Sequence, residues 1–167
     1  LRGKLDALLG LAEATDCRRV RLLAYFGETL GDGEARYNCR NCDNCLTPPD
    51  TKDASVLAQK YLSAVYRTGQ SYGQGHLLDV LTGKDSERVR SRGHDKLSVF
   101  GLIGAEEARL LKPLVRTLTA RDALRTNEHG GLMLGPAARA MMRGEVKVAV
   151  VAPPKRRPTR SDRAAAN

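Results

Sequence analysis

The stretch that decides the fold of the first part of the chain is Cys39-Arg40-Asn41-Cys42-Asp43-Asn44-Cys45, where two overlapping C-x-x-C steps place three cysteines within seven residues. The fourth and last cysteine, Cys17, lies 22 positions upstream of Cys39. A C-x-x-C turn directs both sulfurs to one point, and Zn²⁺ takes about four such ligands at roughly 2.3 Å in a tetrahedron. The pattern therefore predicts one zinc ion held by Cys17, Cys39, Cys42 and Cys45. Four cysteine ligands leave no open coordination position, so we expect a structural rather than a catalytic site.

Two other uses of these cysteines are less consistent with the sequence. Two disulfides would require an oxidising compartment, and no apolar signal segment precedes the cysteines here. A redox C-x-x-C pair would require a strand before it and a helix after it, whereas Cys45 continues into Leu46-Thr47-Pro48-Pro49. Both alternatives remain open, with the zinc site preferred.

Composition indicates where an electrostatic partner would bind. The 167 residues are 41% hydrophobic, which is enough for one or two domains with a core. No run of eighteen apolar residues occurs, so no membrane span is expected. The net charge of +9 suggests a polyanionic partner, with nucleic acid the first candidate. Residues 1–50 hold seven basic and eight acidic side chains, a net charge of −1, while residues 51–167 hold twenty-one and eleven, a net charge of +10. Binding to a polyanion is therefore predicted for the second part.

The first part, residues 1–50, is predicted to be a helical zinc-binding subdomain. Leu5, Leu8, Leu9 and Ala12 recur with helical spacing on one face of residues 4–14. Thr15 and Asp16 are predicted to cap a second helix behind Cys17, and the Tyr25-Phe26 pair is expected in the core. A loop at Gly31-Asp32-Gly33-Glu34 would lead to the cysteine knuckle, and the linker Thr47-Pro48-Pro49-Asp50 would end the subdomain.

The second part, residues 51–152, is predicted to be a winged-helix domain, a variant of the helix-turn-helix. The chain as a whole is then mainly α with a small β component, and the basic tail, residues 153–167, is predicted to be disordered. Pro113 either kinks the third helix or shifts its start to about Lys112. The predicted elements are a helix capped by Asp53 that ends before Thr68-Gly69, a helix His76–Leu81, a short strand at Leu97 and Val99, a helix within Ala105–Ala120, strands Leu124–Thr126 and Leu132–Leu134, a helix Ala137–Met142 behind Pro136, and a strand Val146–Val151.

These residues together resemble the C-terminal region of a RecQ-family DNA helicase, in which a zinc-binding subdomain precedes the RecQ-C-terminal winged helix. The resemblance covers most of residues 1–150, and it depends on the combination of four cysteines with the YFGE and GHDKL motifs. The matching residues are Lys4-Leu5, Ala12-Glu13-Ala14, Cys17-Arg18-Arg19, Tyr25-Phe26-Gly27-Glu28, Cys39, Cys42 and Cys45 with Pro48-Pro49, Arg88-Val89-Arg90, Gly93-His94-Asp95-Lys96-Leu97, Leu114-Val115-Arg116 and Ala137-Ala138-Arg139.

The resemblance implies an ATP-dependent motor that unwinds DNA with 3′-to-5′ polarity in repair, replication and recombination. ATP and Mg²⁺ belong to two motor lobes of the same parent chain, which precede this region in the family. This sequence has no G-x-x-x-x-G-K-[ST] motif, since position 78 is Leu and Asp85 follows Lys84. The fragment itself is expected to hydrolyse nothing. Expected partners are the motor lobes and duplex or branched DNA, bound with little sequence preference by a monomer in the bacterial cytoplasm, associated with the nucleoid.

The polar stretch behind the second predicted helix contains the candidate DNA contacts. Guanidinium and hydroxyl donors suit phosphate oxygens, which position a protein on DNA without reading its sequence. The alternative is a solvated charged loop, because Asp85, Glu87 and Asp95 dilute the positive charge. We expect His94 to make local hydrogen bonds and one DNA contact. Some relatives carry an aromatic residue at the wing tip that separates the DNA strands, but this hairpin offers only His129 there, which argues against such a wedge role. The candidate contacts are Thr82, Lys84, Ser86, Arg88, Arg90, Arg92, His94, Lys96 and His129.

Two further function classes compete with the helicase fragment. A stand-alone zinc-containing winged-helix transcription regulator would need a dimerisation helix, and no long heptad segment supplies one. A protein-docking module with incidental basic charge would not bind DNA even at about 50 mM salt.

Overall fold

The structure, a computed structural model, describes residues 2–30 and 37–151. The loop predicted at Gly31–Glu34 and the tail at residues 153–167 lie outside these ranges. No helix within them is long and apolar enough to cross a membrane. The helices are α1 Arg2–Ala12, α2 Arg18–Tyr25, α3 Asp43–Leu46, α4 Ser55–Arg67, α5 Gln74–Leu81, α6 Glu87–Arg90, a 3₁₀ turn His94–Lys96, α7 Ala105–Ala120 and α8 Ala138–Met142. The strands are β1 Thr51–Asp53, β2 Leu124–Thr126, β3 Leu132–Leu134 and β4 Ala149–Val151.

Helices α1 and α2 form the predicted helical platform, but α2 differs from the prediction at both ends. Its N-cap is Cys17 rather than Thr15 or Asp16, since the Asp16 carboxylate accepts from Arg21 Nε at 2.9 Å instead. At its C-terminal end, Tyr25 and Phe26 are 57% and 71% exposed. The prediction of a core position for this pair is wrong, because both rings remain largely exposed at that end of α2.

Helices α4, α5 and α7 enclose the core of the winged-helix region, residues 51–151. Helix α4 ends before Thr68 as predicted, and Asp53 Oδ1 accepts from the Ser55 N–H at 2.8 Å at its start, although Ala54 is the N-cap residue. Helix α7 is continuous from Ala105 through Pro113, so a start near Lys112 is wrong. The Glu107 carboxylate accepts from the Gly104 N–H and fixes the start of α7. The fully buried large side chains are Tyr61, Leu62, Leu77, Leu81, Leu114, Leu118, Leu124, Val65, Val80, Val89, Val148 and Val150.

Two short antiparallel sheets complete the domain. Strands β2 and β3 pair as the predicted hairpin, with Leu124 opposite Leu134 and Thr126 opposite Leu132; this hairpin and its loop, residues 127–131, form the wing. Strand β4 is shorter than predicted and pairs with β1, which was not predicted because it directly follows the proline-rich linker. Helix α8 begins at Ala138, one residue later than expected.

The stretch between α5 and α7 departs most from the sequence prediction. The strand expected at Leu97 and Val99 is wrong, because Gly93 and Gly101 have positive φ angles of 69° and 67° and the backbone between them forms turns. Val99 is buried by these turns rather than by strand alternation. Helix α6 was not predicted either. Its single turn is capped by Ser86, whose Oγ accepts from the Val89 N–H.

Candidate metal centre and nucleic-acid interface

The four predicted metal ligands converge in the structure. The Sγ atoms of Cys17, Cys39, Cys42 and Cys45 all lie within 4.8 Å of one another. A tetrahedral zinc ion with ligands at roughly 2.3 Å requires sulfurs about 3.8 Å apart, so the cluster needs only a small contraction to hold the ion. Backbone N–H groups of Cys42 and Asn41 donate to Cys39 Sγ and hold the pKa of this thiol below its ordinary value. At Cys39 this favours the thiolate that a metal requires, whereas burial raises the pKa of the Cys45 thiol to about 12.

Three side chains beside the ligands attach the cysteine knuckle to the helical platform. The buried Asn44 amide donates to the Ala14 and Asp16 carbonyls at 2.6 and 2.8 Å. The Arg18 guanidinium binds both carboxylate oxygens of Asp43, at 2.6 and 2.8 Å, and also donates to the carbonyls of Leu11 and Ala12. Sequence reasoning missed these roles of Asp43 and Asn44. Their positions between two ligands were the available signal, because polar side chains there face the ligand loop.

Residues 82–96, which we call the basic segment, leave the core at α5 and return to it through paired contacts. The Gly101 N–H donates to the Val80 carbonyl at 2.9 Å, and the Ile103 N–H donates to the Leu81 carbonyl at 3.0 Å. Gly83 permits this closure, since a Cβ there would meet Gly101 Cα at 3.0 Å and φ is +70°. The basic segment is thus a loop whose two ends are held together by these backbone hydrogen bonds.

The cations of the basic segment fall into two groups. Arg88, Arg92 and Lys96 are exposed and form no ion pair with any described residue. Lys84 pairs with Asp79 at 3.2 Å, and Arg90 pairs with Asp85 at 3.3 Å. Exposed pairs of this kind contribute little to stability, so both cations can exchange their partners for another anion.

The two predicted hydroxyl donors lie at helix ends. Thr82 Oγ1 donates to the Leu78 carbonyl at 2.7 Å, at the C-terminal end of α5. Ser86 Oγ accepts from the Val89 N–H at 3.4 Å, so the hydroxyl hydrogen remains available to an outside acceptor. Val89 is fully buried and anchors α6 between Arg88 and Arg90.

The two histidines of the predicted set occupy different environments. His94 is 8% exposed, and its Nδ1 lies 2.7 Å from His76 Nε2. The expected local hydrogen bond is therefore confirmed. The expected DNA contact of His94 stays a prediction, and the buried ring offers little surface for it. His129 is exposed at the tip of the wing, where the Asn127 side chain accepts from the N–H groups of His129 and Gly131. Sequence reasoning missed His76 as the partner of His94, because the polar stretch between them gave no signal that the two residues would meet.

Each of the two parts of the chain matches a known protein family. Residues 48–159 match the family model of the RQC domain, and residues 1–46 match that of the RecQ zinc-binding family. The chain belongs to the RecQ family. A protein of Haemophilus influenzae named ATP-dependent DNA helicase RecQ is 34% identical over 155 residues, which are 90% of this chain and 24% of the relative. Proteins of the same name from Pasteurella multocida and Bacillus subtilis are 32% and 26% identical over 90% and 87% of this chain, and over 23% and 24% of their own lengths.

This RecQ-family chain spans about a quarter of the length of the curated relatives it matches. The RecQ zinc-binding match includes all four cysteines of the cluster, so one structural Zn²⁺ is the metal that the site fits. The RQC match is a winged-helix domain and begins directly behind the zinc region. The expected fold class, a helical zinc-binding platform followed by a winged helix, is therefore confirmed.

Proposed function

We propose that this chain is the zinc-binding and duplex-contacting region of a RecQ-type 3′-to-5′ DNA helicase. Its role is to position duplex or branched DNA for two ATP-driven motor lobes of the same parent protein. Support comes from the two family matches and from relatives whose names describe ATP-dependent DNA helicases. Within the chain, the zinc ion holds the helical platform and the winged-helix region carries the DNA contacts.

The observation that carries this proposal is the set of three exposed cations on the basic segment that have no acidic partner among the described residues. Arg88, Arg92 and Lys96 lie on a stretch fixed by the buried Val89 and His94, so their backbone positions are set before any ligand arrives. Pre-positioned guanidinium and ammonium groups bind phosphates without reading bases. Lys84, Arg90 and Ser86 add donors around them, and His129 adds a contact from the wing. Thr82 can donate to a phosphate only after its hydroxyl releases the Leu78 carbonyl.

We further propose a division of the chain into a zinc-binding subdomain at residues 1–50, a winged-helix domain at residues 51–152 and a basic tail at residues 153–167. The pairing of β1 with β4 supports assigning Thr51 to the winged helix. The two family matches, ending at residue 46 and beginning at residue 48, support a boundary in the same linker. The proposed fragment is a monomer whose parent helicase associates with the nucleoid.

The position of α7 argues against a transcription regulator. In a helix-turn-helix protein the corresponding helix enters the major groove with a free outer face. Here α1 packs along α7: a Cβ at Gly10 would lie 2.9 Å from Ala120 Cβ, and Arg116 pairs with Glu13. With this face of α7 covered, contacts to phosphates through the basic segment are favoured over base readout.

The test is a salt titration of DNA binding with a matched pair of variants. Affinity for a 20-base-pair duplex would be measured by fluorescence anisotropy between about 50 and 200 mM salt for the unmodified chain, Arg88→Ala and Arg109→Ala. Arg109 is also exposed, but it lies on α7 and pairs with Glu106 at 2.8 Å. We expect Arg88→Ala to weaken binding and to flatten the log–log salt slope by about one unit, because each phosphate contact contributes about 0.9.

Three results would contradict the proposal. An unchanged slope in Arg88→Ala would remove this residue from the interface. Strong preference over a sequence-scrambled duplex, together with a dimer in gel filtration, would favour the transcription regulator. No binding at about 50 mM salt would favour the protein-docking module.

A further inference from the structure

An aromatic cluster of the half-buried Tyr72 and the buried His76 and His94 lies between the proposed DNA-contacting elements. The ring of Tyr72 stacks on that of His76, with centroids 4.3 Å apart and an interplanar angle of 26°. It meets the ring of His94 edge-on, at 4.9 Å and 83°. His76 and His94 are 3% and 8% exposed, and their nitrogens are joined by the 2.7 Å hydrogen bond. These contacts form one unit at the start of α5.

The cluster joins helix α5 to the basic segment through its rings, and it is joined to the wing through the backbone of Tyr72. The Tyr72 carbonyl accepts from the Leu132 N–H of β3 at 2.9 Å. The Gln70 side chain accepts from the Leu134 N–H, also at 2.9 Å, so the strand of the wing is attached at two points to the chain that precedes α5. His76 belongs to α5, and His94 begins the 3₁₀ turn near the end of the basic segment.

We propose that Tyr72, His76 and His94 are positioning residues that fix the basic segment relative to the wing, so that both contact one duplex in the same register. This inference rests on the proposed DNA-binding function. None of the three rings is required to touch DNA. Their role is to hold Arg88, Arg92 and Lys96 on one side and His129 on the other in a fixed arrangement.

The cluster also makes this arrangement sensitive to acid. In the hydrogen bond one imidazole donates and the other accepts, so at least one ring must be neutral. His76 Nδ1 is buried and has no hydrogen-bond partner among the described residues, so a proton added there would be left without an acceptor. Protonation of both rings would place two like charges in one buried contact.

Burial lowers the pKa of both imidazoles, and nearby charges act in both directions. The charged groups that face the pair are Arg88, Arg92, Asp79 and Asp95. A lowered pKa in the folded state means that the neutral form stabilises the cluster. That stabilisation is complete above the ordinary value of 6.5 and is lost as the pH falls below it toward the folded-state pKa values.

A double variant tests whether the positioning depends on the titration of the two imidazoles or only on the hydrogen bond between them. In His76→Gln/His94→Asn, an amide replaces Nε2 of the first ring and another replaces Nδ1 of the second, so one hydrogen bond can remain while neither group titrates. The sequence has three histidines, so the double variant keeps only His129, which both proteins share. Duplex affinity would be measured for both proteins from pH 7.5 to pH 5.5 at constant ionic strength.

The readout is the pH dependence within each protein: between pH 7.5 and pH 5.5 the unmodified chain should lose about fivefold more affinity than the double variant, the lower end of typical coupling between sites. Parallel pH profiles with clear DNA binding in both proteins would overturn this inference and leave the proposed function intact. Failure of both to bind DNA at any pH would overturn the proposed function and the inference with it.

A second measurement decides the matter if the double variant does not fold. In the unmodified chain, hydrogen exchange of the amides of residues 91–97 and of Leu132, corrected for the intrinsic pH dependence, should increase together as the pH falls from 7.5 to 5.5. Linked loss of protection supports a unit that joins the wing to the basic segment. Protection that stays constant in both, or changes in only one, contradicts it.

Discussion

The described part of the zinc region, residues 2–30 and 37–46, buries Ala14, Cys17 and Asn44, whereas the winged-helix region buries a cluster of two dozen apolar side chains. Helix α2 has no buried residue, although its side chains are amphipathic. Helix α4 is also amphipathic, but it buries six of its residues, from Leu57 to Val65. Two adjacent parts of one chain therefore reach an ordered fold by different physical means.

The difference shows what a structural metal replaces. A segment of fewer than fifty residues cannot bury enough apolar surface to offset its loss of conformational entropy, and such segments commonly depend on a metal or disulfides. Here the ligand cluster and the polar bonds of Arg18 and Asn44 connect α1, α2 and α3 in place of a core. Stability of the zinc region should depend on ligand chemistry, and that of the winged helix on side-chain volume.

Zinc removal should have the largest effect and should act mainly on the first region. Binding to four thiolates is linked to folding with an apparent free energy of about 10–16 kcal/mol in small zinc domains. We expect chelation, or Cys42→Ser, to abolish hydrogen-exchange protection in α2 and α3 while α4 and α5 keep theirs. Helices α1 and α7 pack against each other, so their protection should fall less than that of α2 and more than that of α4. Exchange measured by mass spectrometry, together with zinc content, would check this.

Asn41→Ser is the matched control for the cysteine variant. Asn41 lies next to Cys42 in the same loop, its side chain is exposed, and the replacement is the same residue type. It should bind one zinc ion and keep its protection. A Cys42→Ser chain that retained full zinc and normal protection would remove the distinction between the two regions.

The converse change, a loss of volume in the winged-helix core, should have the next largest effect. Leu62 in α4 is fully buried, so Leu62→Ala should lower the free energy of unfolding of this region by about 2–5 kcal/mol through lost contacts and a cavity. Urea denaturation would measure it. Val56→Ala, in the same helix at 64% exposure, should change stability by no more than about 0.5 kcal/mol. A shift in zinc content with Leu62→Ala would show that the two regions are not independent.

The same contrast determines what could be predicted from the sequence. The ligand set was predictable because all four cysteines belong to one site and three of them have the C-x-x-C spacing typical of zinc ligands. Helices α4 and α7 and the wing were predictable because their apolar periodicity is what builds the core. Strand β1 was not predictable, since its three exposed residues carry no periodicity and its partner β4 lies about a hundred positions away.

The basic segment was predictable in composition but not in shape. Its cations could be read from Lys84 to Lys96, yet the turn capped by Ser86 and the positive φ at Gly93 depend on tertiary closure at Gly83 and Gly101. The expectation of a buried Tyr25-Phe26 pair failed for a related reason. Aromatic residues predict burial only where another element covers them, and at the end of α2 both rings remain largely exposed.

Removal of the Arg18 clamp tests the polar part of the zinc region and should have a smaller effect than removal of a ligand. Arg18 joins Asp43 of the knuckle to the carbonyl end of α1, so Arg18→Ala should weaken zinc affinity about tenfold, as is typical for residues that orient a ligand shell. Competition with a chromogenic chelator would measure the affinity. Arg19→Ala removes the same charge from the adjacent, exposed position and should leave zinc affinity unchanged. Equal effects of the two variants would indicate a general charge effect instead of the clamp.

The smallest expected effect is acid loss of one ion pair in the winged-helix region. Lys60 Nζ binds Glu107 Oε1 at 2.6 Å and joins α4 to the start of α7. This contact lowers the pKa of the Glu107 carboxyl from its ordinary value of 4.5. Because the folded state favours the carboxylate, its stabilisation is complete above pH 4.5 and is lost as the pH falls further.

Solvent screens this pair, since the Glu107 side chain is 36% exposed, so its contribution should stay below about 1 kcal/mol. The free energy of unfolding of α4 and α7 should fall between pH 5.5 and pH 3.5. Glu107→Gln should make this fall smaller, by less than about 1 kcal/mol. Glu106→Gln, at 79% exposure on the same turn, should leave the fall unchanged.

The zinc region provides an internal contrast, because protons compete with the metal for thiolate ligands and should release it over the same interval. If the Glu107→Gln chain kept the full acid dependence of the unmodified protein, carboxylates elsewhere in the winged helix would account for it.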